Sequence, residues 1–114
     1  MDCFHVEDCG FHKNGDTCEV YEYPSIGFEF DLAVVRVFGK YPDKAYCINS
    51  VCKEVIYIIE GEGVMYEGEK EHKFRKGDVI VIKAGERFRW EANCVASISC
   101  TPPWSVEQYK LVPE

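Results

Sequence analysis

No apolar run in these 114 residues is long enough to cross a bilayer, since each is broken within about 18 residues. The N-terminal stretch Met1 to Asp8 is acidic and lacks the apolar core of a signal peptide, so the expected compartment is the cytoplasm. Basic residues are in the minority: 13 Lys and Arg against 20 Asp and Glu give a formal net charge of −7. Arg87 and Arg89 are the only close arginine pair, too few to reverse that field. Neither nucleic acid nor an anionic membrane is therefore an expected partner. There is no Cys-x-x-Cys pair, which argues against zinc-ribbon and thioredoxin-type sites. No Gly-rich phosphate loop, Ser-His-Asp set or helical His pair is recognisable. Internal repeats and low-complexity segments are also missing.

What is present describes a packed single domain. Hydrophobic residues make up 46% and aromatics 14%, enough apolar surface for one core at this length. The cysteines are Cys3, Cys9, Cys18, Cys47, Cys52, Cys94 and Cys100. Their odd number and the missing signal argue against a disulfide framework, and most are expected to be reduced, buried and small-apolar in behaviour.

From Asp31 onward the chain reads as strands and turns. Asp31 to Phe38 is rich in β-branched residues. Tyr41-Pro42-Asp43-Lys44 is a turn. Lys53 to Glu60 is apolar on both faces, and Glu60-Gly61-Glu62-Gly63 is expected to break it before Val64 to Tyr66. Glu67-Gly68-Glu69 reads as a hairpin turn. Lys70 to Arg75 is a polar edge strand with Phe74 inward. Val79 to Ile82 is expected to be buried on both sides. Phe88 to Ala92 and Cys94 to Cys100 complete the series, and Pro102-Pro103 stops the last strand. Ser105 to Tyr109 predicts one helical turn capped by Ser105. Turn signals recurring every 8 to 12 residues or so indicate an all-β sandwich or barrel. Residues 1–30 are expected to be an arm or short strands wrapping the barrel, which spans residues 31–114 with a C-terminal extension.

Two segments are anchored by glycines. In one, six residues separate Glu54 from Gly61. In the other, Gly77 and Gly85 flank the strand Val79 to Ile82. These segments, with fifteen residues between Gly61 and Gly77, resemble the two motifs of the cupin family. The resemblance covers roughly Asp31 to Trp104 and implies a double-stranded β-helix, or jelly-roll barrel. It also implies where chemistry would sit. Typical cupins bind a divalent metal through two His and a Glu of the first motif and a His of the second. Here Glu54 holds the Glu position, Phe88 the second-motif His position and Lys83 its proline position. The first-motif His positions fall on Cys47 and Asn49, or on Ile48 and Ser50. Phenylalanine has no lone pair, and Cys47, Asn49 and Glu54 match no common metal site. The resemblance with these replacements implies a metal-free barrel, and no cofactor is expected.

Alternation by two places Ile56 and Ile58 on the face of Glu54, and Phe88 with Trp90. Cys47, Asn49, Glu54, Ile56, Ile58, Phe88 and Trp90 are the candidate pocket residues. Either they line a pocket for a small apolar or sugar-like ligand, or they fill a small barrel solid. Burial is expected to raise the pKa of Glu54, which then serves as acid/base or hydrogen-bond acceptor, or else pairs with Lys53, an arginine or the backbone. Arg87 and Arg89 are expected to face outward. His72 reads as solvated, and Trp104 as packing over a barrel end. A metal at Cys3, His5, Cys9 and His12 follows no known module spacing. A Cys47 nucleophile lacks a histidine nearby in sequence. Three functions remain open: a metal-free binding module; a metal-independent isomerase or epimerase using Glu54 with Tyr57 or Tyr66; and a dimeric structural module pairing through Val55–Ile59 and Val79–Ile82.

Overall fold

The computed structural model describes all of residues 1–114. Nine strands run Gly10–Lys13 (β1), Cys18–Glu22 (β2), Ala33–Tyr41 (β3), Ala45–Asn49 (β4), Lys53–Glu67 (β5), Lys70–Arg75 (β6), Val79–Ile82 (β7), Arg87–Thr101 (β8) and Tyr109–Pro113 (β9). Short 3₁₀ turns occupy Val6–Asp8 and Val106–Gln108, and no helix is long and apolar enough to cross a membrane. All pairings are antiparallel within one curled sheet, the jelly-roll barrel that the family resemblance implies.

The two 15-residue strands β5 and β8 are the spine. They pair along their whole length, and β8 also carries β3 and the end of β4. Even-numbered residues of β8 (Phe88, Trp90, Cys94, Ala96, Cys100) point inward against Val35 and Val37 of β3 and Ile56 and Ile58 of β5. Phe74 meets Trp90 edge to face at 6.0 Å, a favourable aromatic geometry. The early strands add Cys18 and Val20 to the same core.

Several expectations need correction. Glu60-Gly61-Glu62-Gly63 does not break the strand: β5 runs through to Glu67 with a bulge between Ile58 and Glu60. The two glycines let β8 approach closely, because a Cβ on Gly61 would collide with the Asn93 carbonyl and one on Gly63 with Ala92. Likewise Phe88–Ala92 and Cys94–Cys100 are one strand. Strand β7 is not buried on both sides. It pairs only with β5, and nothing covers its outer face, so Val79 is 59% exposed and Val81 48%. Ser105 stands at the start of the Val106–Gln108 turn but makes no side-chain cap bond. Lys70–Arg75 is an edge strand with Phe74 inward, as its pattern indicates. Ala45–Asn49 and Tyr109–Pro113, which pair with one another, had no clear strand signature.

Arg87 and Arg89 lie outside the barrel, packed on tyrosine faces rather than free in solvent. The Arg89 guanidinium sits 4.0 Å from the Tyr66 ring centre and Arg87 lies over Tyr46 at 5.1 Å. His72 is half-exposed and 3.0 Å from Glu67. In the N-terminal segment, His12 lies across from Glu22 at 3.8 Å and Cys3 is exposed. No three His, Cys, Asp or Glu side chains converge there or elsewhere as a metal site.

Candidate functional site

The barrel interior is open. A cavity of about 1190 Å³ enters from the mouth, lined by Cys47, Glu54, Phe88 and Trp90 among the residues singled out by sequence. Asn49 is buried directly beside Glu54. Ile56 and Ile58 share that face but have no exposed surface and belong to the packed core below the cavity. Tyr41 and Tyr109 also line the cavity, and sequence reasoning passed over both. Tyr41 ends an inward-alternating strand, a usable signal. Tyr109 opens a strand whose place beside β4 is set only by long-range pairing.

Glu54 is the chemical centre. It is 7% exposed, and its Oε2 accepts a hydrogen bond of 2.5 Å from Asn49 Nδ2. No protein donor reaches Oε1. Burial pushes the carboxyl up to about 7; the Asn49 bond opposes the rise and Asp31 adds to it. Its partner is therefore neither Lys53, which is exposed on the outer face, nor an arginine. Asn49 is itself locked. Its Oδ1 accepts from Trp104 Nε1 and from Gln108 Nε2, each at 3.1 Å, so its amide can only donate toward Glu54. Gln108 in turn accepts the Val51 and Cys52 amide N–H groups. Trp104 thus does more than pack over an end: its ring lines the cavity and its N–H joins the network that fixes Glu54.

Across the cavity, Cys47 Sγ lies 3.2 Å from the Tyr109 hydroxyl, and Tyr41 stands beside Tyr109. Burial raises both tyrosines above their ordinary range and pushes the Cys47 thiol up to about 12. Cys47 is therefore a neutral thiol at physiological pH, without an activating base, and not a ready nucleophile. Cys18, Cys52, Cys94 and Cys100 are also buried and unpaired by disulfide. Tyr57 and Tyr66, weighed as partners of Glu54, project from the outer face and do not reach it: β5 alternation turns Tyr57 outward, and Tyr66 lies under Arg89.

The donors a cupin metal needs do not assemble. Phe88 offers no lone pair, Asn49 is committed on both ends, and the Cys47 thiol is protonated and shared with Tyr109. Glu54 alone remains as an oxygen ligand, so these residues do not fit a divalent ion.

Barrel architecture and motif spacing agree with comparison to known proteins. A family model described as an EutQ-like cupin domain matches residues 45–95. The match and the barrel give the chain a cupin fold. The chain is 33% identical over 82 residues to a mannose-6-phosphate isomerase of Cryptococcus neoformans var. neoformans serotype D, which covers 72% of the chain. It spans only 18% of that relative's length. Among solved structures it superposes on Streptomyces Pac13 with uridine at a TM-score of 0.89, covering 99% of this chain and 91% of that one at 15% identity. Pac13 is described as a nucleoside dehydratase. Ectoine synthase from P. lautus superposes at 0.72, over 100% of this chain and 93% of that one, at 17% identity. At these identities the likeness is one of fold.

Proposed function

We propose that this cupin is a metal-free container that holds one small apolar or sugar-like organic molecule in the barrel, with Glu54 as its polar anchor. The observation that carries the reading is a buried carboxyl with one free oxygen on the wall of a large, mostly aromatic and aliphatic cavity. Such a lining with few convergent polar groups is the usual make-up of a small-molecule site. The Pac13 structures, described as being with uridine, support it, since a protein of this fold is found with a compact ring-bearing molecule. Calorimetric screening of small uncharged and charged ring compounds against wild type and Glu54→Gln tests it. A ligand that binds wild type and is weakened in the variant is expected. Equal binding by both proteins would overturn the anchoring role.

A second reading is favoured by the Tyr41, Tyr109 and Cys47 hydroxyl and thiol groups that share the cavity with Glu54. Glu54 titrating near neutrality is populated in both forms, as a metal-independent proton transfer requires. The activity would be an isomerisation or epimerisation of the bound molecule. Solvent deuterium entering a bound ligand, and stopping in Glu54→Gln, would separate this reading from simple binding.

A further inference from the structure

Charge around the cavity is one-sided. Five carboxylates line it (Asp16, Glu22, Asp31, Asp43 and Glu54) against a single lysine, Lys40, and one histidine, His12. All four arginines lie elsewhere: Arg87 and Arg89 on the outer tyrosines, Arg36 beside Glu19 and over Phe38, and Arg75 on the edge strand. The carboxylates are spread from rim to wall. Asp31 is fixed by the amide N–H groups of Cys100 and Trp104 at 2.7 and 2.9 Å, whereas Glu54 keeps Oε1 free. Aromatic side chains line the same cavity, including Tyr41, Phe88, Trp90, Trp104 and Tyr109.

Carboxylates and aromatic faces around one cavity are the complement of an organic cation. A ring quadrupole attracts an ammonium over its face, and a low-dielectric wall strengthens the attraction of a buried carboxylate. The same surroundings disfavour an anion, because a phosphate or carboxylate would enter a negative field with one lysine to meet it. We infer that the molecule this barrel selects carries a protonated or quaternary amine on a small apolar or aromatic body, with Glu54 as its counter-ion and the cavity aromatics around it. This rests on the container reading and narrows it to one charge class. It also separates this chain from its relative named mannose-6-phosphate isomerase, whose named substrate is anionic.

Three probes of similar size decide it: benzylamine, benzyl alcohol and phenyl phosphate, each titrated calorimetrically at millimolar concentration against the full chain at pH 8, where Glu54 is ionised. Benzylamine is expected to bind at least tenfold tighter than benzyl alcohol, and phenyl phosphate most weakly of all. Glu54→Gln keeps the shape of the side chain and is expected to weaken benzylamine by about ten- to hundredfold, the range for a hydrogen bond between charged groups, and benzyl alcohol by several-fold less than that. Circular dichroism of the variant confirms that it is folded. If benzyl alcohol or phenyl phosphate binds as well as benzylamine, the charge-class inference fails and the container stands. If none of the three binds, both fail.

Discussion

Asn49 donates to Glu54 in a single fixed sense, because Trp104 and Gln108 occupy its carbonyl oxygen. One asparagine thereby ties the C-terminal segment to the carboxyl on the cavity wall. Removing it orphans two buried groups, Glu54 Oε2 and Gln108 Nε2, and the partly buried Trp104 Nε1 at once. Asn49→Ala is expected to cost about 2–4 kcal/mol in urea unfolding, with the m-value unchanged. A loss under 1 kcal/mol, within the range of a surface substitution, would show that the network contributes little.

The raised pKa of Glu54 makes stability depend on pH with a definite sign. An unfolded glutamate titrates near 4.5, and the folded one near 7. Between these values the native state holds a proton that the unfolded state has lost, so stability falls as pH rises from about 4.5 to 7 and is level above. The groups that face Glu54 are Asn49, which opposes this, Asp31, which adds to it, and Cys47, Cys52, Cys100 and Tyr41, whose own ionisation burial pushes upward. The drop attributable to Glu54 is on the order of 3 kcal/mol. Chemical denaturation of wild type and Glu54→Gln across that window should show the slope in the first and its loss in the second. The same slope in both proteins would assign it to other groups.

Metal content follows from the donor set. Protein purified without chelator is expected to carry no stoichiometric metal in the barrel, by elemental analysis. One metal per chain, lost in Glu54→Ala, would contradict the site as described, since Phe88 and the committed Asn49 leave too few ligands.

On the outer face, Phe11, Tyr21, Val34, Tyr57 and Val79 align in one row across the paired strands, with Ser97 between Val34 and Tyr57. Val55 and Val81 extend it. We propose that a second copy covers this row with its strands antiparallel. Exposed Lys53 and Lys83 close one end of it and the Glu60–Lys76 pair, 3.6 Å apart, the other, so antiparallel packing sets the two lysines beside a carboxylate rather than against each other. Light scattering at micromolar concentration is expected to give a dimer for wild type and a monomer for Tyr57→Glu, which leaves the core untouched. A wild-type monomer would refute it.

The sequence carried the barrel well and its contents poorly, for physical reasons. Strict alternation in Arg87–Thr101 and Lys53–Ile58 exposes the inner face directly, and the glycine spacing points to the fold. Yet glycine has two uses, and Gly61 and Gly63 serve close strand approach where a break was expected. Apolar runs cannot reveal which face stays bare, so Val79–Ile82 looked doubly buried. Glu54, Phe88 and Cys47 were legible as cavity positions because a motif fixes them locally, and Trp90 because it alternates with Phe88. Tyr109 and the Trp104 and Gln108 contacts were not, because they depend on residues 55 to 62 positions apart meeting in the fold, whereas Tyr41 was readable from strand alternation and was passed over.

Glutamate side chains labelled with ¹³C at the carboxyl carbon and followed by NMR through a pH titration test the central claim most directly. Glu54, assigned by its absence in Glu54→Gln, is expected to titrate near 7, well above the exposed glutamates, and to move downward when benzylamine saturates the barrel. A Glu54 signal that titrates with the other glutamates, or that does not respond to any small molecule, would contradict an anchoring carboxyl in an open cavity.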